Sequence, residues 1–167
     1  MWFLPTWRQS AIVDLGGGDT TLRTLATEMP GLATAMQAAG LAPVILYMLG
    51  TQPEDLTPAL TLGARGFAPP AQALVLNEVA MDAGTTRAEA FGRITSLPGF
   101  ASLAQNGVRV WMPRLFAAEA IEAREARYFD ALDGRASPPL GMFDRARLRA
   151  WLDAMSQRFA GITSWIP

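Results

Sequence analysis

The chain has 167 residues, half of them apolar, and a formal net charge of -1. That length and apolar content suit one domain with a full core, and the near-neutral balance leaves no global basic field to draw the protein to nucleic acid. All 14 basic residues are arginine, with no histidine, lysine or cysteine anywhere, which excludes a histidine general base, a thiolate nucleophile, a Schiff-base lysine, zinc sites of Cys and His, and the lysine of a Walker A loop. Carboxylate, hydroxyl, guanidinium and backbone amide remain. No apolar run reaches the roughly 18 to 20 residues that cross a bilayer. Residues 1–8 have no basic start for a signal peptide, and zero cysteines fit a reducing compartment, so a cytoplasmic protein is expected.

Residues 1–9 carry two tryptophans and a phenylalanine without clear periodicity, and the apolar run Ala11 to Leu15 predicts a first strand. From Thr20, apolar residues at Leu22, Leu25, Ala26, Met29, Leu32, Ala33 and Met36 recur at three and four, predicting an amphipathic helix that Pro30 and Gly31 break or kink and Gly40 stops. Pro43 to Leu49 is a continuous apolar run, as expected of a strand covered on both faces. Pro53, Glu54 and Asp55 open a helix ending between Gly63 and Gly66, and Ala73 to Val79 forms a third strand tipped by Asn77 and Glu78.

Two short helices are expected next, one from Thr85 to Ile94 and one capped by Ser96 with Pro98 near its start. Val108 to Met112 is the fourth strand, closed by Pro113. A helix from about Ala117 to Leu132 follows, then a loop over 133–139, and Asp144 is placed to cap a last helix that carries Leu148, Trp151, Leu152, Met155 and Phe159 on one face. Short apolar strands alternating with helices predict a single α/β domain over 1–167. Its architecture is Rossmann-like and three-layered, with a mostly parallel sheet of about four strands flanked by helices.

One stretch has the shape of a site. In Ala11-Ile-Val-Asp-Leu-Gly-Gly-Gly-Asp-Thr-Thr21 an apolar run meets Asp14, three glycines follow, and a helix begins. An acid at the carboxyl end of a parallel strand, followed by glycines and a helix N-terminus, is where open α/β sheets hold phosphate and magnesium. The same pattern also serves a tight strand-to-helix turn in which glycine supplies backbone geometry alone. Asp19 suits a helix cap or a second metal-facing carboxylate.

The order of pieces from about residue 10 to 115 resembles the later two-thirds of the ParA/MinD family, the deviant-Walker P-loop ATPases that act in plasmid and chromosome partition. Residues Ile12 to Gly17 take the Walker B place, Leu74 to Asn77 that of the strand ending in asparagine, and Val108 to Pro113 that of the strand ending in proline. The resemblance implies ATP and Mg2+ as ligands, with Asp14 acting on magnesium through water and the loop of Gly16, Gly17 and Gly18 near the γ-phosphate. It further implies that Asn77 contacts adenine and that Pro113 with Arg114 covers the base; no catalytic residue is assigned. Three departures stand out: glycines replace the prolines after Asp14, Glu78 replaces an arginine after the asparagine, and the phosphate loop with its lysines is missing.

In that family the phosphate-loop strand lies inside the sheet, so its loss would leave neighbouring strands with unpaired backbone; either another segment fills that place, with the apolar residues 1–7 as a partial cover, or the sequence is a fragment whose first part lies elsewhere. The expectation is a truncated or degenerate homologue in partition or conjugative transfer, unable to hydrolyse ATP alone, with a homodimer or a heterodimer with an intact ATPase as its assembly. A non-catalytic α/β interaction module is the alternative. A fragment of an actin/Hsp70-like ATPase is a second, since Asp14 to Thr20 also resembles the Asp-Leu-Gly-Gly-Gly-Thr motif of that superfamily, although a helical pattern follows instead of a hairpin. Arg124, Arg127, Arg145, Arg147, Arg149 and Arg158 are a candidate DNA patch. Glu119, Glu122, Glu125, Asp130 and Asp153 lie among them, as on a solvated helix face, and net charge does not favour DNA.

Overall fold

The computed structural model describes residues 10–15 and 21–166. The protein is α/β, with three parallel strands, β1 (Val44–Leu49), β2 (Ala71–Asn77) and β3 (Val108–Met112), in the spatial order β1-β2-β3. The apolar run of β2 places it at the centre, where five consecutive residues, from Gln72 to Leu76, are buried. A strand covered on both faces is selected by such a run.

The expected first strand is not in the sheet. Residues 10–15 adopt no strand, and Ile12 and Val13 are 80% and 73% exposed, so the sheet has three strands among the described residues, where about four were expected. Of the five residues only Ile12 and Val13 are strong strand formers, and Ala and Asp are depleted in strands.

The helix expected from Thr20 divides at Pro30 and Gly31 into α1 (Thr21–Glu28) and α2 (Leu32–Ala38), with Gly31 at φ +82°, a backbone conformation that only glycine adopts without strain. After β1, a 3-10 turn over Pro53–Leu56 leads into α3 (Thr57–Ala64). Between β2 and β3 lie α4 (Arg87–Thr95) and α5 (Pro98–Gln105). Ser96 closes the first of these and does not open the second, because Leu97 holds the capping position ahead of Pro98.

The helix expected over 117–132 is interrupted. It forms α6 (Ala118–Glu122) and α7 (Tyr128–Leu132), separated by Glu125 in the left-handed region at φ 49°. Arg124 turns its guanidinium onto the carbonyls of Ala120 and Pro138, which anchors the break to the loop that follows α7. The last helix, α8 (Met142–Arg158), starts at a Gly141 cap, with Asp144 in its first turn pairing with Arg147 at 3.1 Å.

Three apolar clusters hold these pieces together. One sheet face packs Tyr47, Leu49, Leu74 and Leu76 against α1 to α5 through Ala26, Ala33, Leu56, Ala59, Phe91, Ile94 and Phe100. The opposite face of β2 and β3 packs Ala73, Val75 and Val110 against Phe159, Ile162 and Trp165 at the C-terminus. A satellite core joins α6, α7 and the first half of α8 around Ile121, Ala131 and Leu148, and is tied to the sheet where Trp151 Nε1 donates to the Pro113 carbonyl at 2.8 Å. The second face stops short of β1, and Val44, Leu46 and Met48 stay 37%, 37% and 52% exposed.

Candidate functional site

Strand alternation and register bring several predicted site residues to the carboxyl end of the sheet, where open α/β sheets receive ligands. Asn77 ends β2 opposite Met112 of β3, and Pro113 and Arg114 follow directly. Asp14 is exposed in the segment outside the sheet, and Gly16, Gly17, Gly18 and Asp19 lie outside the described residues.

The rim itself is bonded from within. Asn77 Oδ1 accepts the Val79 amide at 3.1 Å and so caps the 3-10 turn over Glu78–Ala80. Arg114 Nη2 donates to the Val79 and Met81 carbonyls at 2.6 and 2.7 Å. Glu78 is the hub: its Oε1 accepts from Arg87 Nε at 2.6 Å and Arg158 Nη1 at 2.7 Å, joining the start of α4 to the end of α8. Arg87 lies 5.4 Å over the Trp111 ring, and Trp111 meets Phe91 edge-on at 5.2 Å. Gly50, just past β1, admits the Asp55 carboxylate so closely that an added Cβ would sit 2.5 Å from Asp55 Oδ2. That carboxylate accepts the Gln52 amide at 3.0 Å, so this loop too is closed by its own capping.

This arrangement decides how far the residues fit ATP and magnesium. The Asn77 amide nitrogen is not bonded by any described residue and can donate to a base, but Asn77 Oδ1 and two donors of Arg114 are already engaged. Among the described residues no group of three or more Asp or Glu side chains can hold a metal ion.

The arginine-rich C-terminal region follows the same rule. Arg124 and Arg145 donate to backbone carbonyls, and Arg147 and Arg158 pair with Asp144 and Glu78, so four of the six guanidiniums of the candidate DNA patch have internal partners. Among the described residues no helix is long and apolar enough to cross a membrane.

At the opposite, amino end of the sheet lies a cleft of about 520 Å³ between α3 and α5, lined in part by Tyr47, Phe67, Gln72, Ser102, Leu103 and Asn106. No charged residue lines it. Gln72 is only 8% exposed and is the sole buried polar residue among those described, and neither it nor Tyr47 makes a side-chain hydrogen bond to another described residue. Burial pushes the Tyr47 phenol up to about 12. Sequence reasoning began β2 at Ala73 and so missed Gln72; the signal that marks it is an amide side chain between Pro70 and a run of apolar residues.

Comparison of the chain with protein-family models, with curated proteins and with solved structures finds no match.

Proposed function

We propose that this chain is a ParA/MinD-like relative, of the class serving plasmid or chromosome partition or conjugative transfer, that works by strand-mediated association with a second copy of itself and does not hydrolyse ATP alone. The observation that carries this reading is the open outer edge of β1. A sheet of that family without its phosphate-loop strand has an unpaired edge inside what would be the complete sheet, and among the described residues β1 pairs only with β2. Its sequence Val-Ile-Leu-Tyr-Met-Leu has none of the charges or prolines that protect solvent-facing edges.

The occupant is argued from the chain itself. Ala11 to Leu15 holds two strong β-formers, Ile12 and Val13, both highly exposed and in no strand, while β1 offers an edge unpaired among the described residues beside the exposed side chains of Val44, Leu46 and Met48. Each copy thus carries one exposed segment that joins no strand and one edge unpaired among the described residues, the arrangement a reciprocal two-fold exchange uses. Magnitudes favour the doubled arrangement. Covering the half-exposed Leu46 and Met48 stabilises by about 1 kcal/mol each, and a single edge falls short of an association cost of about 4 to 15 kcal/mol. Two edges, with strand hydrogen bonds of about 1 kcal/mol each, reach it.

Sedimentation velocity across a concentration series tests the reading. The wild-type chain is expected to pass from monomer to dimer, and Leu46→Lys with Met48→Lys to remain monomeric with unchanged circular dichroism. A wild-type chain that stays monomeric throughout, or variants that dimerise equally, overturns the association. ATP turnover by the purified chain alone overturns the second half of the proposal.

A further inference from the structure

We propose that the cleft at the amino end of the sheet is a binding site for a small, neutral, planar heterocycle with an amide-like edge, the chemistry displayed by a nucleobase. The inference is independent of the association reading, because it rests on the face of the sheet turned toward α3 and α5 and not on the outer edge of β1.

Gln72 carries the argument. The residue is only 8% exposed, yet no described residue bonds its amide. A buried amide without a partner is costly, so native structures pair such groups with protein, water or ligand. Among the described residues the only fully enclosed, unpartnered side-chain nitrogen or oxygen is Arg145 Nε. The Gln72 amide therefore still meets open space, and the cleft is the space it lines. Its stem is held in place: a Cβ added to Gly107 would come within 3.1 Å of both Gln72 Cγ and the Gln72 carbonyl, so the backbone of Gly107 closes against this side chain as only glycine can.

The rest of the lining defines the ligand. Tyr47, Ser102 and Asn106 add a phenol, a hydroxyl and a second amide, and none of the three makes a side-chain hydrogen bond to another described residue. Amides and hydroxyls both donate and accept, which matches a ligand whose edge alternates donor and acceptor. Phe67, Leu103, Pro69 and Pro70 supply apolar walls, and the volume of about 520 Å³ is in the range of small-molecule sites. With no charged residue in the lining, a phosphate or carboxylate would enter without a counter-charge, which disfavours ionic ligands. Tyr47 remains a neutral donor at any ordinary pH because its burial holds the phenol protonated.

Calorimetric titration with uracil, adenine and nicotinamide, alongside uridine monophosphate as a charged counterpart, tests the site. At least one neutral probe is expected to bind saturably, and Gln72→Leu to weaken it by about tenfold or more, as expected where a polar ligand edge loses its buried partner. The thermal midpoint of Gln72→Leu is expected not to fall, since an unpartnered amide gives way to an apolar group of similar shape. Asn106→Leu, at the exposed lip, is expected to weaken the same probe several-fold and serves if Gln72→Leu does not fold. No saturable binding of any neutral probe, binding unchanged in the variants, or tighter binding of the monophosphate than of uracil overturns the proposal.

Discussion

The two ends of this sheet differ in a way that reverses the usual α/β arrangement. At the carboxyl end, Glu78 pairs with Arg87 and Arg158, Arg114 donates to nearby carbonyls and Asn77 Oδ1 accepts the Val79 amide, so the charged groups serve to fasten helices to the sheet. At the amino end, Tyr47, Gln72, Ser102 and Asn106 line open space without side-chain partners among the described residues. Polar groups that bond internally stabilise, and a buried polar group that no protein atom bonds is left to water or a ligand. The lesson is that position on a familiar fold indicates where to look, while hydrogen-bond satisfaction indicates which polar groups are still available.

The sharpest way to break this comparison is to unfasten the carboxyl end. Glu78→Ala removes the acceptor shared by Arg87 and Arg158 and is expected to cost about 2 kcal/mol, less than a fully buried pair because Arg87 is substantially exposed. In a chain of this size that is a fall in Tm of roughly 4 to 8 °C, measured by calorimetry. A change within error would show that the rim does not hold α4 and α8 to the sheet.

A smaller effect is expected on pH at the amino end. The folded Tyr47 phenol is raised above its unfolded value, so its contribution to stability is complete below pH 10 and is lost as pH rises from 10 toward about 12. Ultraviolet titration of the folded protein should find one of the two tyrosines ionising near 12, and Tyr47→Phe should remove that transition.

The smallest effect is expected at the cap of α4. Hydrogen bonds from the Thr86 backbone and side chain lower the Glu89 pKa. The cap is therefore fully formed above the ordinary carboxylate range and is lost as pH falls through the lowered folded value. Glu89 is fully exposed, so the readout is local: amide exchange in the first turn of α4 should quicken in acid or in Glu89→Gln, with little change in global unfolding.

Much of the fold was legible because apolar runs bounded by Gly, Pro and Asn are strong signals. Val108 to Met112 forms β3 with the bounds that the sequence suggests, and Pro30 with Gly31 divides α1 from α2. Ala11 to Leu15 carries an apolar signal like that of β1 but joins no strand among the described residues, an outcome of sheet assembly that no window of sequence contains. The break at Glu125 was hidden for a related reason, since Ala, Glu and Arg all favour helix there and the long reach of Arg124 to Pro138 decides the matter. At the candidate site, strand order alone sets Asn77 beside Met112, ahead of Pro113 and Arg114, whereas the internal bonding through Glu78 and the setting of Gln72 depend on contacts far apart in sequence.

Hydrogen exchange of the full chain at low and high protein concentration tests the central claim most directly, since association at the open edge must protect both partners of the new ladder together. The account predicts that amides within 11–15 and 44–49 gain protection in parallel as concentration rises, while those of β2 and β3 do not change. Exchange in both segments that is independent of concentration would contradict it.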